Sequence, residues 1–578
     1  MFLSAFATAA FTEFISILAL TIDAIIVCTF LGEREIAAVG LASPFFYLSG
    51  IPATALATGL QTLCTQNLGR GQIDSVSRYF NETLAFAACL MALMTAALFF
   101  FNRQLAFLFG ARGNAADLLE LTSGYLHGLT FDAAPFVLSS ILTPIVVLDN
   151  GNGTVMVSSI LGGVTNIVFD IVAVKSGWGL VGVGYASALS AAVSLAVLST
   201  HFFRKNSIIH FRPARLRWQT ILSVTKHGLP NTVHAEAGIL RSIALNALVA
   251  FVGGGVGVSV LAIQNTITDF VDILAVGVAG AVGILSGIAF GEVNGEELKG
   301  IGVLAHRYIL VISVAVIACL TCFAAPIGRL FLDAGSESWP LLRFAILCVA
   351  VSTPFSALIY SRVNYLQAAG IGKKAQRLEA FSNLICLLAF AAAFALLFGV
   401  QGVFLAFPAS KAAVLAAIYI LYARKTNRLR PRARNYLGLD PVFFRQEQDM
   451  ISYPFATLMD AALSSEQIRL FCNGHGLDER KCILASLCAE EIMKNIVTHS
   501  ASARFGEPLA ELRVTIADNR VILRIKDSGN AFNLSVLAKL LSQRESPHEN
   551  IGMKLICAST DDISYYRIYR MNTTILKI

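Results

Sequence analysis

Gly179-Leu-Val-Gly182-Val-Gly184-Tyr-Ala186 and Gly399-Val-Gln-Gly402-Val-Phe404-Leu-Ala406 carry one pattern at two places, about 220 residues apart. Two more pairs keep that separation. Gly32 with Ala37-Ala38-Val39 returns as Gly253 with Val258-Ser259-Val260, and Asp149-Asn-Gly151-Asn-Gly153 returns as Ala368-Ala-Gly370-Ile-Gly372. Ordered matches at one offset mark an internal repeat. Between the matches the chain is almost continuously apolar. A bilayer core takes roughly 20 apolar residues per helix. On that measure spans fall near 9–31, 37–66, 80–102, 121–148, 154–175, 179–203, 222–251, 257–290, 303–327, 341–369, 377–399 and 402–423. Six spans per repeat is an even number, so both halves enter from the same side. Their symmetry axis then runs along the membrane normal, with a binding site between or within the halves.

Composition agrees. The chain has 578 residues, 56% apolar and 14% charged, with a mean hydropathy of +0.68; soluble proteins carry roughly a quarter charged residues. Charge is sparse up to about Tyr422 and ordinary from about Arg445 onward. The expected architecture is an all-α polytopic membrane protein of about twelve spans in two six-helix repeats, followed by a C-terminal α+β domain. The expected boundaries are 1–215 and 216–424 for the lobes, 425–449 for a basic linker and 450–578 for the soluble domain. Lys and Arg crowd alternate loops, for example Arg204, Lys205, Arg212, Arg215 and Arg217, then Lys373, Lys374 and Arg377, and finally 424–434. The bias places both termini in the cytoplasm and the chain in the cell membrane. No basic stretch precedes the first span, so no signal peptide is expected. The net charge of +7 belongs to the membrane part and its flanks and implies no nucleic-acid partner. The eleven cysteines are scattered, and Cys319 and Cys322 share one span, so packing rather than a disulfide framework is expected. The absence of GxxxxGK[ST] excludes an ABC-type ATP motor.

Carboxylates inside spans are functional candidates, because each costs about 2.5–3.5 kcal/mol to insert. Asp23 sits mid-span in the first helix. Asn166 and Asp170 lie four apart in the fifth, on one face. Where those helices meet, desolvation and mutual repulsion favour a carboxyl that carries a proton or ligates sodium. In the second half Asn383 stands for Asn166, but Leu387 stands for Asp170. Glu236 and Arg241 fall in the seventh span and Asp269 and Asp272 in the eighth, where Arg241 can neutralise either aspartate. Asp132, near Pro135, lines a cavity or lies near the interface.

The stretch Thr21-Ile-Asp23-Ala-Ile-Ile-Val, Leu31-Gly32, Ala37-Ala-Val-Gly40, ending at Thr65-Gln-Asn-Leu-Gly69-Arg-Gly71, resembles the opening of the multidrug and toxic compound extrusion (MATE) family. Asn166-Ile-Val-Phe-Asp170 and the second-half counterpart through Gly291 agree. The resemblance spans roughly residues 10–425. It implies two six-helix lobes forming a V, antiport driven by H⁺ or Na⁺, export of organic cations and amphipathic compounds, and a cation site at Asp23, Asn166 and Asp170.

In the tail, Ser464-Ser-Glu-Gln467 has the form of a capping box. A helix is expected from about Asp478 to Ser500 with an apolar stripe of Ile483, Leu484, Leu487, Ile492 and Ile496, and Glu491, Asn495 and His499 share another face. Leu512–Ile516 and Val521–Ile525 alternate as strands around Asp518-Asn519. Next come a short helix, a polar loop from Ser542 to Asn550, and a last hairpin through Met571-Asn572-Thr573-Thr574. Glu491-Ile-Met-Lys-Asn495, Asp527-Ser-Gly529 and Asn550-Ile-Gly552-Met resemble, in order, the N-box, adenine box and second glycine box of GHKL-type ATP-binding domains, the anti-sigma-factor serine kinases above all. Ala531 and Asn550 depart from that family's pattern. The resemblance implies Mg·ATP held by Asn495 (the Mg²⁺ ligand), Asp527, Gly529, Gly552 and Thr573, with Glu491 as base toward a serine of an anti-anti-sigma (STAS-type) partner. The membrane part is not expected to be an enzyme; whether the tail is a serine kinase stays open. So do two alternatives to an exporter: a membrane sensor whose tail is the output kinase, and a lipid-linked precursor flippase. A flippase calls for a basic cavity, whereas the intramembrane charges here are mostly acidic.

Overall fold

The structure, a computed structural model, describes residues 2–109, 111, 118–204, 207, 209–329, 338–426, 449–499, 510–517, 519–530, 533–534, 551–568 and 571–578. The basic linker beyond Thr426, Asp518, Ala531 and the polar loop through Asn550 lie outside the described residues, as do the side chains of Glu236 and His499. Helices α1 (Phe2–Ile26), α2 (Glu33–Gly69), α3 (Ile73–Leu108), α4 (Leu119–Gly128), α5 (Ala133–Leu148), α6 (Asn152–Lys175) and α7 (Gly179–Thr200) make the first half. The second comprises α8 (Trp218–Gly291), α9 (Gly295–Cys322), α10 (Ala324–Arg329), α11 (Trp339–Ala368), α12 (Gly372–Ala380) and α13 (Cys386–Thr426). Among the described residues nine helices are long and apolar enough to cross a membrane, or ten when the bent pair ending in α5 counts as one span.

Two of these helices are too long for one crossing. At about 1.5 Å per residue, the 74 residues of α8 exceed any bilayer. Helical geometry breaks at Gly254 (φ 57°, ψ −154°) and, in α13, at Gly399 (φ 61°, ψ −142°). A methyl group on Gly402 would lie 2.0 Å from the Phe394 carbonyl oxygen, and one on Gly257 would lie 2.9 Å from Val249. Residues eight apart in a straight helix are about 12 Å apart. The chain therefore doubles back at each break, and both long helices are hairpins. Several helices begin earlier than apolarity alone indicates: α3 opens on Asp74-Ser75 and α9 on Glu296-Glu297. These polar first turns extend the helices beyond their apolar stretches.

Left-handed backbone repeats between the halves. Gly32 and Gly254, Gly71 and Val293, Asn150 and Gly370, and Gly179 and Gly399 all have positive φ, each pair about 220 residues apart. Gly254, not Gly253, is thus the conformational partner of Gly32. The halves meet where α2 crosses α8, and small residues let the backbones touch. A side chain on Gly69 would lie 2.2 Å from the Ile288 carbonyl oxygen, and one on Gly291 would lie 2.2 Å from that of Gln66. The Gln66 amide also donates to the Ala368 carbonyl at 2.7 Å.

The tail forms a five-stranded antiparallel sheet of order β1-β2-β3-β5-β4, with β1 Met450–Pro454, β2 Ala510–Ala517, β3 Arg520–Asp527, β4 Asp562–Ile568 and β5 Met571–Lys577. Helices α14 (Leu458–Gly474), α15 (Glu479–His499) and α16 (Ile551–Ser559) accompany it. One sheet face, bearing Leu512, Val514, Val521, Leu523, Ile525 and Leu576, packs with α14 and α15 into a separate core. Two expectations are corrected here. The capping box that opens α14 is Thr457 with Asp460, about two turns before Ser464, which is buried mid-helix. Of the expected α15 stripe, Ile492 is buried in this core and Leu484 and Ile496 pack against it, but Ile483 and Leu487 are exposed, and Cys482, Ala485, Cys488, Ala489 and Met493 complete the buried face. The buried face is built from small residues, which a count of bulky side chains passes over.

Candidate functional site

Asp23 lies near the end of α1, just before a π-turn (Val27–Leu31) that leads to Gly32. Asp170 lies on α6 with Asn166 one turn earlier. Helices α1 and α6 approach closely: a methyl on Gly163 would sit 3.1 Å from Ile15. On its other side α6 is fixed to α7 by reciprocal bonds, Ser158 Oγ donating to the Ser194 carbonyl and Ser194 Oγ to the Ser158 carbonyl. The Asp23 and Asp170 carboxyls adjoin each other inside the first lobe. Asp170 is fully buried and Asn166 nearly so. Among the described residues, both oxygens of Asp170 and the buried oxygen of Asp23 have no conventional hydrogen-bond partner. Tyr125 of α4 and Asp132, at the start of α5, complete the group: both are buried, and the tyrosine feels the charges of Asp23, Asp132 and Asp170. Among the described residues no base enters this cluster. A buried carboxyl adjoining a half-buried one, with no base beside them, suits a proton or a sodium ion.

The equivalent place in the second lobe holds different chemistry. Asn383 lies in a π-turn (Phe381–Ile385) between α12 and α13. Its amide donates to Glu379 and its carbonyl accepts from the Lys411 ammonium; all three residues are buried. Leu387, at the position of Asp170, is fully buried in this lobe's core. Beside the network opens a cavity of about 340 Å³ whose charged lining is Glu13 from the first lobe with Arg241, Asp269, Asp272 and Lys411 from the second. Arg241 and Asp269 attract each other across it. Asn383 and Leu387 also line the cavity, so the position of the repeat pair is a wall of this chamber.

In the tail, strand β3 delivers Asp527 to the sheet face that bears the helices. Its Oδ1 accepts from the Asn572 amide at 2.8 Å and from the Gly529 N–H at 2.9 Å. Burial pushes this carboxyl above its ordinary range, and those two bonds partly offset the shift. Among the described residues no donor reaches its other oxygen. Asn495 sits half-buried on α15, and Glu491 abuts Gly552, where any side chain would strike its carboxylate. Thr573 does not join this group. The pairing Asp527↔Asn572 and Ile525↔Thr574 sets Asn572 and Thr574 beside Asp527, and Thr573 points through the opposite face, toward Glu292 and Tyr566. Strand alternation reverses the side at every residue, so Thr573 and Thr574 lie on opposite faces of the sheet.

The MatE family model matches this chain over residues 9–172 and again over 238–397, together more than half of its length. The chain belongs to the MatE family. A relative, the "Probable multidrug resistance protein NorM" of Agrobacterium fabrum (strain C58 / ATCC 33970), is 26% identical over 424 residues, covering 68% of this chain and 88% of its own. The fold is that of a structure described as the outward-facing conformation of a multidrug resistance MATE family transporter of the MOP superfamily (TM-score 0.68, 23% identity, 74% of this chain and 95% of that one). It is also that of a MOP superfamily transporter from Pyrococcus furiosus Vc1 (DSM3638), described as having a binding pocket of reverse polarity that suggests a different function (TM-score 0.67, 22% identity, the same coverage).

Within this MatE protein, sequence reading reached Asp23, Asn166 and Asp170 and missed Glu13, Tyr125, Glu379 and Lys411. Lys411 carried a signal, being a lysine inside the apolar run Gly402–Ala423, where charge is a functional marker by default. Glu379 falls at the start of the expected span 377–399, beside the basic cluster Lys373–Arg377, where an end charge draws no notice, yet it is almost fully buried.

Proposed function

We propose that this MatE protein is a cation-coupled antiporter, driven by H⁺ or Na⁺, that exports organic cations and amphipathic compounds, with a cytoplasmic tail that regulates it. The observation that carries the reading is the fully buried Asp170 carboxyl adjoining the half-buried Asp23 carboxyl, with no counter-charge among the described residues of the first lobe. Counting the arms of the two hairpins separately brings the ten apolar segments to twelve spans, in line with two six-helix lobes. The cavity supports cationic cargo: three acids, Glu13, Asp269 and Asp272, face two bases, Arg241 and Lys411, and Lys411 is already engaged by Asn383. A flippase handling a diphosphate would need the opposite balance. The Lys/Arg asymmetry puts both termini and the tail in the cytoplasm.

For the tail we read a GHKL-type site for Mg·ATP. The donor set fits: a buried carboxylate at Asp527 with one oxygen fixed and the other available to an amino donor, Gly529 beside it, and an amide at Asn495 suited to a metal ion. The nucleotide would supply the phosphates and the metal charge. Asn572 and Thr574, rather than Thr573, belong to this face. Glu491, pressed against Gly552, is the candidate base if the tail transfers a phosphoryl group.

The purified chain in proteoliposomes, loaded with a fluorescent organic cation, tests the transport reading. Cargo should move against an imposed proton or sodium gradient and stop when that gradient is collapsed. Cargo movement indifferent to both gradients would refute it.

A further inference from the structure

The two turns related by the repeat, Gly69-Arg70-Gly71 between α2 and α3 and Gly291-Glu292-Val293 between α8 and α9, lie side by side at the seam where the lobes touch. Each has one residue in the left-handed region, Gly71 and Val293. The sheet face of the tail that turns away from α14 and α15 covers both turns at once. Toward the first lobe, the Arg524 guanidinium donates to the Gly69 carbonyl, Ser564 donates to that of Gly71 at 3.5 Å, and Ile575 fills the space a side chain on Gly71 would need. Toward the second lobe, Lys526 donates to Glu292 at 2.6 Å and to Glu297 at 2.9 Å, and Tyr566 reaches Glu292 at 3.5 Å. Arg524, Tyr566 and Glu292 are buried, and Tyr566, Ile568 and Ile575 belong to the same apolar core as the α2–α8 seam. An ordinary outer sheet face would be solvated. This one buries Arg524 and most of Lys526, two residues apart on β3, one aimed at each lobe.

We propose that this sheet is a latch that holds the cytoplasmic ends of the two lobes together. It rests on the reading that transport requires the lobes to part there in turn. Any such parting must break either the Arg524–Gly69 side or the Lys526–Glu292–Glu297 side, because one rigid antiparallel sheet carries both. The latched protein is therefore closed to the cytoplasm, and whatever lifts the sheet frees the lobes to move. Control then runs from the tail to the transporter. Removing one partner of a buried ion pair is strongly destabilising, so the latch is strong enough to bias a two-state seam.

Spin labels placed through non-native amino acids at exposed Asp74 and Lys299, just past the two turns, report the seam in the full chain. A third label at exposed Arg480, paired with Asp74 in a separate sample, reports whether the tail is docked. Lys526→Glu sets three carboxylates together. It should lengthen the tail distance and raise the separated fraction at the seam about tenfold or more. Reversing the pair as a whole, Lys526→Glu with Glu292→Lys and Glu297→Lys, should restore both distances and so separates broken docking from misfolding. A tail that leaves while the seam distances stay unchanged overturns the latch. So does a tail that stays docked after charge reversal. Neither readout needs cargo, gradient or nucleotide. Gradient-indifferent efflux beside a working latch would sink the transport reading alone.

Discussion

The two lobes repeat one backbone and carry opposite chemistry. Left-handed residues recur in register from Gly32 and Gly254 to Gly179 and Gly399, and a π-turn interrupts a helix in each half. At the matched position on the fifth helix of each half, the first lobe sets Asn166 with Asp170 against Asp23. The second sets Asn383 with Leu387 against Lys411. Duplication preserved what the bilayer enforces, namely helix lengths, turn conformations and small residues at crossings. It left the buried polar groups free to diverge. The first lobe sets carboxyls together with no base among the described residues; the second sets the Lys411 ammonium against Asn383 and Glu379. On the proposed reading, the mobile cation site lies in the first lobe.

That asymmetry is most exposed to a test on the acids. Asp23→Asn and Asp170→Asn each remove a titratable oxygen pair while keeping volume and hydrogen-bonding capacity. Gradient-driven efflux should be abolished in both, with normal membrane insertion and unchanged thermal unfolding in detergent. Wild-type efflux in either variant would dismiss that residue from coupling.

Lys411→Met probes the other lobe and should show the converse pattern. It leaves Glu379 facing Asn383 without the ammonium that balances it, and breaking a buried charge pair costs about 3–5 kcal/mol. A clear fall in unfolding temperature is expected, with coupling retained per folded molecule. The double variant Lys411→Met/Glu379→Gln should recover most of the stability, because no charge is left alone. Lost coupling at full stability would place the cation site in the second lobe instead.

These contrasts also show what the sequence could and could not convey. The apolar, multi-helix character, the repeat offset and the juxtaposition of Asp23 with Asp170 were legible, because a membrane makes apolar length and buried charge conspicuous. Lys411 was equally conspicuous in principle, whereas Glu379 was masked by neighbouring basic residues. In the tail, strand alternation was readable but not its outer face: Ile522, Arg524 and Lys526 look like any solvated strand edge. Nothing local announces that Glu292, more than 230 residues earlier, is their partner. The stripe of α15 was read only in part, since Cys and Ala bury well where a helix lies close on a sheet.

A smaller effect separates the two faces of that sheet. In the full chain, Asp527→Asn should weaken Mg·ATP binding about tenfold, the worth of one hydrogen bond to a charged group. Thr573→Ala should leave it unchanged, because Thr573 faces the membrane part. Calorimetry on the detergent-purified chain reads both. An effect of Thr573→Ala equal to that of Asp527→Asn would show that the nucleotide contacts the docking face.

The smallest expected effect concerns the pH response of the docked tail, and it falls on one lobe only. Toward the first lobe the sheet meets backbone carbonyls at Gly69 and Gly71, which do not titrate. Toward the second it meets Glu292. Burial alone would raise the Glu292 carboxyl, but the Lys526 and Arg524 charges outweigh it and hold the group below its ordinary value. Burial would likewise lower Lys526, and Glu292 and Glu297 outweigh that and raise it. A carboxyl lowered by docking contributes fully above its undocked value, about 4.3, and loses that contribution as pH falls through the lowered one. An ammonium raised by docking contributes fully below about 10.4 and loses that contribution only as pH rises through the raised value. Between roughly pH 5.5 and 9 docking should therefore be flat, and loosening should begin only under stronger acid. The Arg480-to-Asp74 distance, measured at pH 6, 7 and 8.5 and again near pH 4, reads this directly. Undocking near neutral pH would mean that a group other than Glu292 or Lys526 governs the contact.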